Sequence, residues 1–421
     1  MAHHMRTSHD HSSPGALLAG IVPAPTALTE PPAVAPASLW ARMRTWTAAH
    51  AVDDLYQGLV PASIPYFVLE RNYGYTAASG LALAATLGGS LPQLLVGVLV
   101  DRRRVPWMAP VGVSLAGVGA GLAGLAPAYA ATWLLLLLSG VGVSMFHPAA
   151  GAAARAVAGD DTTAMSLFAA GGSVGFFLAP LLATPALAAW GPNATVLFIP
   201  PALLLAVVLL RAGRRPVAAR RPGTGAGAPT PDRPRPFLLL TAVEIVRSVL
   251  LFGVSTFIEL FWLRHLGASH ALAGLALTLF LMGGVGGTLV GGRLADRFGA
   301  VRTVQAGAVL TVPALVALRL AGGPVTGLPA AVAAGMAISI PFAVLVKLGQ
   351  DYLPSRPGTA SGVTLGLAVS AGGLAAPALG AIADTHGISA PFTVLCFVPA
   401  LAVAMCVFLP EPARRGAAFR D

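Results

Sequence analysis

Long apolar blocks separated by short polar interruptions dominate the chain. The first series runs Met43–Leu69, Ala77–Val100, Trp107–Ala126, Ala131–Ala153, Thr163–Leu187 and Ala194–Leu210. A second series runs Phe237–Leu263, Ala271–Leu294, Val301–Leu320, Leu328–Leu348, Gly358–Ile382 and Pro391–Leu409. Each block is close to the roughly 20 apolar residues that a helix needs to cross a bilayer. Stretches such as Thr132–Val143 lack the period-two alternation of barrel strands, so helices are expected. The pattern predicts an all-α integral membrane protein of twelve transmembrane helices in two six-helix halves. Residues 1–40 read as a disordered tail, 41–211 and 237–410 as the halves, 212–236 as a linker and 411–421 as a second tail.

Composition agrees with burial in lipid. Of 421 residues, 56% are hydrophobic and only 10% charged, where a soluble domain carries roughly a quarter. Mean hydropathy is +0.77. The net charge of +10 is nearly all arginine, with Lys347 the one lysine. These arginines are not spread as a soluble basic face would be. Arg102–Arg104, Arg155, the Arg211–Arg235 cluster, Arg297 with Arg302, and Arg356 fall in alternate connections. The third and fifth connections carry none and the ninth only Arg319. Cationic loops favour the cytoplasm. The arrangement therefore puts the linker and both termini there, as expected of a multi-pass protein of a bacterial inner membrane. Lipid, not nucleic acid, is the expected surroundings, and the chain reads as a monomer. Cys396 and Cys406, ten positions apart in one block, read as packing residues. His3, His4, His9 and His11 sit in the tail without partner ligands, so no metal or cofactor is implied.

A charged turn recurs at matching places in the two series. Gly291-Gly-Arg-Leu-Ala-Asp-Arg-Phe-Gly299 lies between two apolar blocks, and Gly97-Val-Leu-Val-Asp-Arg-Arg-Arg104 is a weaker copy. A short charged turn between spans must lie among the headgroups, because isolated charges in hydrocarbon are costly. Its repetition suggests an internal duplication. Small residues repeat too. The fifth block holds Gly171-Gly-Ser-Val-Gly175 and Ala179-Pro180, and the eleventh holds Gly372-Gly373, Pro377 and Gly380. Such residues let membrane helices approach closely.

The turn resembles the loop signature of the major facilitator superfamily. That resemblance implies a transporter fold and a gating role for Gly97, Asp101 and Arg102 in the first copy and Gly292, Asp296 and Arg297 in the second. An ordinary positive-inside loop is the alternative.

Ionisable residues within spans are candidate functional groups. The first block carries His50, Asp53, Asp54, Tyr56 and Gln57, and the fourth carries Phe146-His147-Pro148. Counted from Met43, Asp54 lies roughly 15 Å into the membrane. His50 and Asp54 share one helix face, and Asp53 and Gln57 another. The seventh block has Glu244 and Arg247 one turn apart, while Glu259 and Arg264 are expected at the outer interface.

These pieces resemble the fosmidomycin-resistance group of that superfamily. The matching residues are His50, Asp53-Asp54, Gln57 and Pro61; Phe146-His147-Pro148; Ser166-Leu167-Phe168 with Gly171-Gly172, Gly175-Phe176 and Pro180; and Arg247-Ser248 with Thr256-Phe257-Ile258. The resemblance implies proton-driven efflux of a small molecule or antibiotic. A carboxylate facing a low-dielectric cavity can load and unload protons, so Asp54 is expected as the main proton carrier, with Asp53 and His147 in the relay. His50, Tyr56, Gln57 and Phe146 are expected on the pocket wall. Arg247 is expected to meet an anionic group, held by Glu244. A proton-coupled importer of a sugar or organic acid keeps the same fold and stays open. So do purely structural roles for the buried acids and for the Glu244–Arg247 pair. No phosphate loop, nucleophile elbow or metal-ligand spacing appears, which argues against an enzyme.

Overall fold

A computed structural model describes residues 39–103, 105–158, 162–212 and 231–411. The expected tails, Arg104, Arg414, Arg415 and most of the linker lie outside these residues. The described chain is helical throughout. Its elements are α1 (Leu39–Glu70), α2 (Tyr75–Ser90), α3 (Gln93–Arg102), α4 (Met108–Ala123), α5 (Tyr129–Ala158), α6 (Thr162–Trp190) and α7 (Ile199–Ala212). Then come α8 (Pro234–Arg264), α9 (His270–Phe298), α10 (Ala300–Arg319), α11 (Leu328–Ser339), α12 (Phe342–Tyr352), α13 (Pro357–Gly362), α14 (Ala368–His386) and α15 (Ser389–Cys406). A 3-10 turn, Gly191–Phe198, precedes α7, and a π turn, Val363–Leu367, joins α13 to α14. Among the described residues, eight helical stretches are long and apolar enough to cross a membrane, and α4 is a shorter apolar helix.

Every apolar block of the sequence contains helix, but not always a continuous one. The second block breaks between α2 and α3 at Pro92, and the tenth between α11 and α12 at Pro341. Proline has no N–H to donate to the carbonyl four residues back, so the ladder is interrupted at both places. The two breaks fall in non-equivalent blocks, the second of the first series and the fourth of the second.

The packing scheme also occurs twice. Helix α1 lies on α6 as α8 lies on α14, α4 on α5 as α10 on α11, α2 on α5 as α9 on α11, and α4 on α7 as α10 on α15. Between the two sets, α2 packs on α14 and α6 on α9. These two seams are built on small residues. A Cβ at Gly380 of α14 would come within 2.5 Å of Ser79 Oγ, and one at Gly274 of α9 within 2.1 Å of Thr184 Oγ1. Only a glycine allows so close an approach.

One end of the bundle is tied across the seam. Asp384, at the end of α14, accepts hydrogen bonds from Tyr75 N (2.7 Å), Thr76 N (3.0 Å) and Thr76 Oγ1 (2.7 Å). The carboxylate therefore caps the N-terminus of α2, where unpaired N–H groups favour negative charge. Nearby, Tyr66 of α1 stacks on His270 of α9 at 5.1 Å. At the opposite end, which carries the linker, the repeated turns are exposed. Arg102, Asp296 and Arg297 are all at the surface, and among the described residues none forms an ion pair with another helix. The Asp101 side chain lies outside the described residues. An added Cβ at Gly97 or Gly292 would meet nothing within 4 Å, so close packing does not account for these glycines.

Candidate functional site

Helix α1 brings Asp53 and Asp54 to the middle of the bundle, where α5 presents His147. His147 Nε2 lies 3.0 Å from Asp54 Oδ1, and its Nδ1 lies 3.5 Å from Asp53 Oδ2. His50, one turn before Asp54, places Nε2 3.4 Å from Asp54 Oδ2. The two imidazoles meet edge to face at 5.1 Å. Gln57 donates to Asp54 Oδ1. Thus one carboxylate faces two imidazoles and an amide.

The backbone fixes which ring nitrogens carry hydrogen. His50 Nδ1 is 2.9 Å from the Phe168 carbonyl, and His147 Nδ1 is 3.0 Å from the Val143 carbonyl. A carbonyl can only accept, so we assign a proton to each Nδ1. In a neutral ring Nε2 then presents a lone pair, and in both rings it points at Asp54. Two acceptors in contact repel unless a proton lies between them. Asp54 as a neutral acid could donate to only one ring. The arrangement therefore calls for at least one proton beyond those of two neutral imidazoles and an ionised Asp54. Two imidazoles and a carboxylate within 4.8 Å are also a donor set that a transition metal accepts; the hydrogen-bonding pattern accounts for them with protons alone.

Asp53 differs from its neighbour. It is fully buried, and neither carboxylate oxygen has a hydrogen-bond partner among the described residues. His147 is the cationic partner within reach.

On the second set of helices, α8 carries Glu244 and Arg247. The guanidinium grips the carboxylate through two bonds, Nε to Oε2 at 2.8 Å and Nη2 to Oε1 at 2.6 Å. Its other face lies over the Phe342 ring at 4.7 Å. A two-point grip of this kind satisfies the hydrogen-bonding groups of both side chains without help from water.

Both clusters border one cavity of about 350 Å³. His147 and Gln57 lie on its wall from α5 and α1, and Arg247, Thr256 and Phe342 from α8 and α12. The volume suits a small molecule, and the wall is mostly apolar with a few polar groups, as in ligand pockets generally.

The structure sorts the expected wall residues. Gln57, Tyr56 and Arg247 border the cavity. The Tyr56 hydroxyl, however, turns away and donates to the Phe198 carbonyl at 2.8 Å. His50 and Phe146, expected on the wall, are not there. His50 sits behind Asp54, stacked on Phe168 at 4.4 Å, and Phe146 is fully buried beside both histidines. Glu244 is buried behind Arg247 rather than facing the cavity. Glu259, expected at the outer interface, lies five residues before the end of α8 and is only 2% exposed, while Arg264 reaches the surface.

Sequence reasoning missed three contributors. Phe168 supplies both the carbonyl and the ring that hold His50. Phe342 backs Arg247. Gly172 was read as a packing glycine, yet a Cβ there would lie 2.3 Å from Asp54 Oδ2 and 2.6 Å from His50 Nε2. Its missing side chain is what leaves room for the cluster. The Gly171-Gly172 pair was the available signal, but only the α1–α6 crossing shows what it faces.

Comparison with known proteins agrees with this architecture. A sequence model of the Major Facilitator Superfamily matches residues 47–377 and again residues 240–420. The chain belongs to that superfamily of membrane transporters. Within it, the chain falls in the fosmidomycin-resistance group. It is 30% identical over 371 residues to the fosmidomycin resistance protein of Escherichia coli (strain K12), covering 86% of this chain and 91% of the relative. It is 28% identical over 378 residues to YfnC of Bacillus subtilis (strain 168), an uncharacterized MFS-type transporter, with the same coverage of 86% and 91%. Solved structures share the fold. The nucleoside transporter NupG matches with a TM-score of 0.72 at 13% identity, over 87% of this chain and 98% of its own. A D-xylose–proton symporter matches with a TM-score of 0.71 at 14% identity, over 90% and 99%.

Proposed function

We propose that the protein exports a small molecule, a fosmidomycin-like antibiotic being the first candidate, in exchange for protons. Twelve spans in two rocking halves would expose the cavity to each side of a bacterial inner membrane in turn, with the linker in the cytoplasm. Asp54 carries the proton, and His147, with Asp53 behind it, receives and returns it. Arg247 meets an anionic group of the substrate, and Glu244 holds the guanidinium in place. The observation that carries this reading is the contact of Asp54 with two imidazole nitrogens, which calls for an added proton, one of the two rings, His147, lying on the wall of a cavity that Arg247 also borders. Proton and substrate would favour opposite conformations, so each would drive the other's release.

The support for fosmidomycin itself is the name of the Escherichia coli relative. The test uses everted vesicles, an imposed inside-acid gradient and fosmidomycin as the probe. Wild type should accumulate the compound and collapse the gradient. Asp54→Asn should do neither. Full gradient-driven accumulation by Asp54→Asn removes Asp54 from the mechanism. Gradient-driven movement out of the everted vesicles would reverse the direction and make the protein an importer.

A further inference from the structure

We propose that Glu259 is a second proton-binding site, separate from the Asp54 cluster, whose protonation lets the outer seam close. The inference rests on the alternating-access reading above, in which the end tied by Asp384 faces outward.

Glu259 lies on α8, five residues before its outer end. It is 2% exposed and its Oε1 has no hydrogen-bond partner. Among the described residues it makes no ion pair. Two further orphan atoms flank Tyr66, Thr184 Oγ1 on α6 and His270 Nδ1 on α9. Tyr66 of α1 links them. Its ring stacks on His270 and its hydroxyl donates to the Thr184 carbonyl at 3.3 Å, within electrostatic reach of Glu259. The contact of Tyr66 with His270 crosses from one helix set to the other, and α8, which carries Glu259, packs on both α1 and α9 at this seam.

Nothing in this cluster compensates a negative charge. Glu70, at the end of α1, is itself acidic and exposed. Arg264 and His265, at the end of α8, point to the surface. On α14, Asp384 is committed to the N-terminus of α2, and His386 is exposed and bonded to Thr385. His270 is stacked on Tyr66, with no carboxylate within ion-pair distance.

Burying a bare carboxylate without hydrogen bonds or a counter-charge is strongly unfavourable, whereas burying the neutral acid is not, provided its O–H finds an acceptor. An ionised Glu259 therefore belongs to the outward-open form, where water reaches it. A protonated Glu259 belongs to the closed seam. The proton returns to the side from which it came, so Glu259 controls when the seam closes without adding to the protons exchanged per substrate.

The test follows the outer opening directly. Spin labels are placed through Ala130→Cys and Val325→Cys, both exposed at the outer ends of opposite helix sets. The background carries Cys396→Ser and Cys406→Ser. Label-to-label distances are measured in lipid nanodiscs from acid to alkaline pH. In the otherwise unmodified chain the longer distance should grow as pH rises. Glu259→Gln, a permanent mimic of the neutral acid, should hold the short distance at every pH. Glu259→Asp should restore the response, which separates protonation from a folding defect. Asp54→Asn should keep the outer response even though it loses proton-driven transport. A pH response in Glu259→Gln equal to that of the parent overturns the inference, and so does a parent that shows no response. Loss of the response in Asp54→Asn together with its retention in Glu259→Gln assigns the switch to Asp54 and also overturns it. The antiport reading is judged separately by the vesicle assay, so the two can fail independently.

Discussion

The two helix sets repeat one packing scheme and furnish the cavity with opposite kinds of charge. On the first, His50, Asp54 and His147 come from two helices and fit together only with an added proton between them. On the second, Glu244 and Arg247 come from one turn of one helix and satisfy each other without any proton. The first arrangement suits a group that must change its charge in every cycle. The second suits a fixed guanidinium that keeps its charge while substrates come and go. On the proposed reading, a duplicated scaffold separates titration from binding by where it places its few ionisable residues.

Breaking the first cluster should have the largest effect. His147→Gln, like Asp54→Asn, should reduce gradient-driven transport to background while leaving the protein folded. Binding of the substrate measured by calorimetry should survive, because Arg247 is untouched. Breaking the second cluster should reverse this pattern. Arg247→Gln leaves Glu244 buried and unpaired, which should cost about 3–5 kcal/mol of stability. The double variant Glu244→Gln with Arg247→Gln should regain most of that stability in thermal unfolding without regaining substrate binding. If the double variant still binds, Arg247 is a structural residue.

Filling the space at Gly172 sharpens the comparison. Gly172→Ala should push Asp54 and His50 apart and weaken coupling, at a stability cost of about 1–3 kcal/mol, the usual range for overpacking. A Cβ at Gly292, on the linker side, meets nothing, so Gly292→Ala should not destabilise the fold. At the seam tied by Asp384, Asp384→Ala removes the cap from α2 and should favour opening of that end by about 0.5–1.5 kcal/mol. Cross-linking between the N-terminus of α2 and the C-terminus of α14 would report the change.

The smallest effect is expected at Asp232. Its carboxylate accepts from Ser355 Oγ and from Ser355 N at 3.0 Å. The Ser355 hydroxyl, and after it the backbone N–H, hold Asp232 below its ordinary value. A lowered carboxylate contributes stability that is complete above its unfolded value and disappears as pH falls through the folded one. Asp232→Asn should therefore destabilise slightly at neutral pH and make no difference well below about pH 4.

Much of this was legible in the chain. Runs of apolar residues located every helix, and the repeated Gly-x3-Asp-Arg frame announced the duplication. His50, Asp54 and His147 could be nominated because charges are rare inside spans. What could not be read were contacts between distant segments. Phe168 is an ordinary apolar residue until its carbonyl meets a ring 118 positions earlier in the chain. Asp384 lies just past its apolar block, and its role as a cap for α2 exists only across 309 positions. Counting along one helix puts Glu259 near the outer end but cannot show that it is buried there. Burial depends on the neighbours that cover a helix, and counting does not include them. The breaks at Pro92 and Pro341 were visible as prolines but hidden within continuous apolar runs.

The central claim is that protons sit between Asp54 and the Nε2 atoms of His50 and His147. Nitrogen NMR of histidine-labelled protein in bilayers, with the two rings assigned from His50→Gln and His147→Gln, tests it most directly. The account predicts that both rings keep hydrogen on Nδ1 at all pH values and change together at Nε2, and that Asp54→Asn uncouples them. Finding either ring with hydrogen on Nε2 alone, or two rings that titrate independently in the wild type, would contradict it.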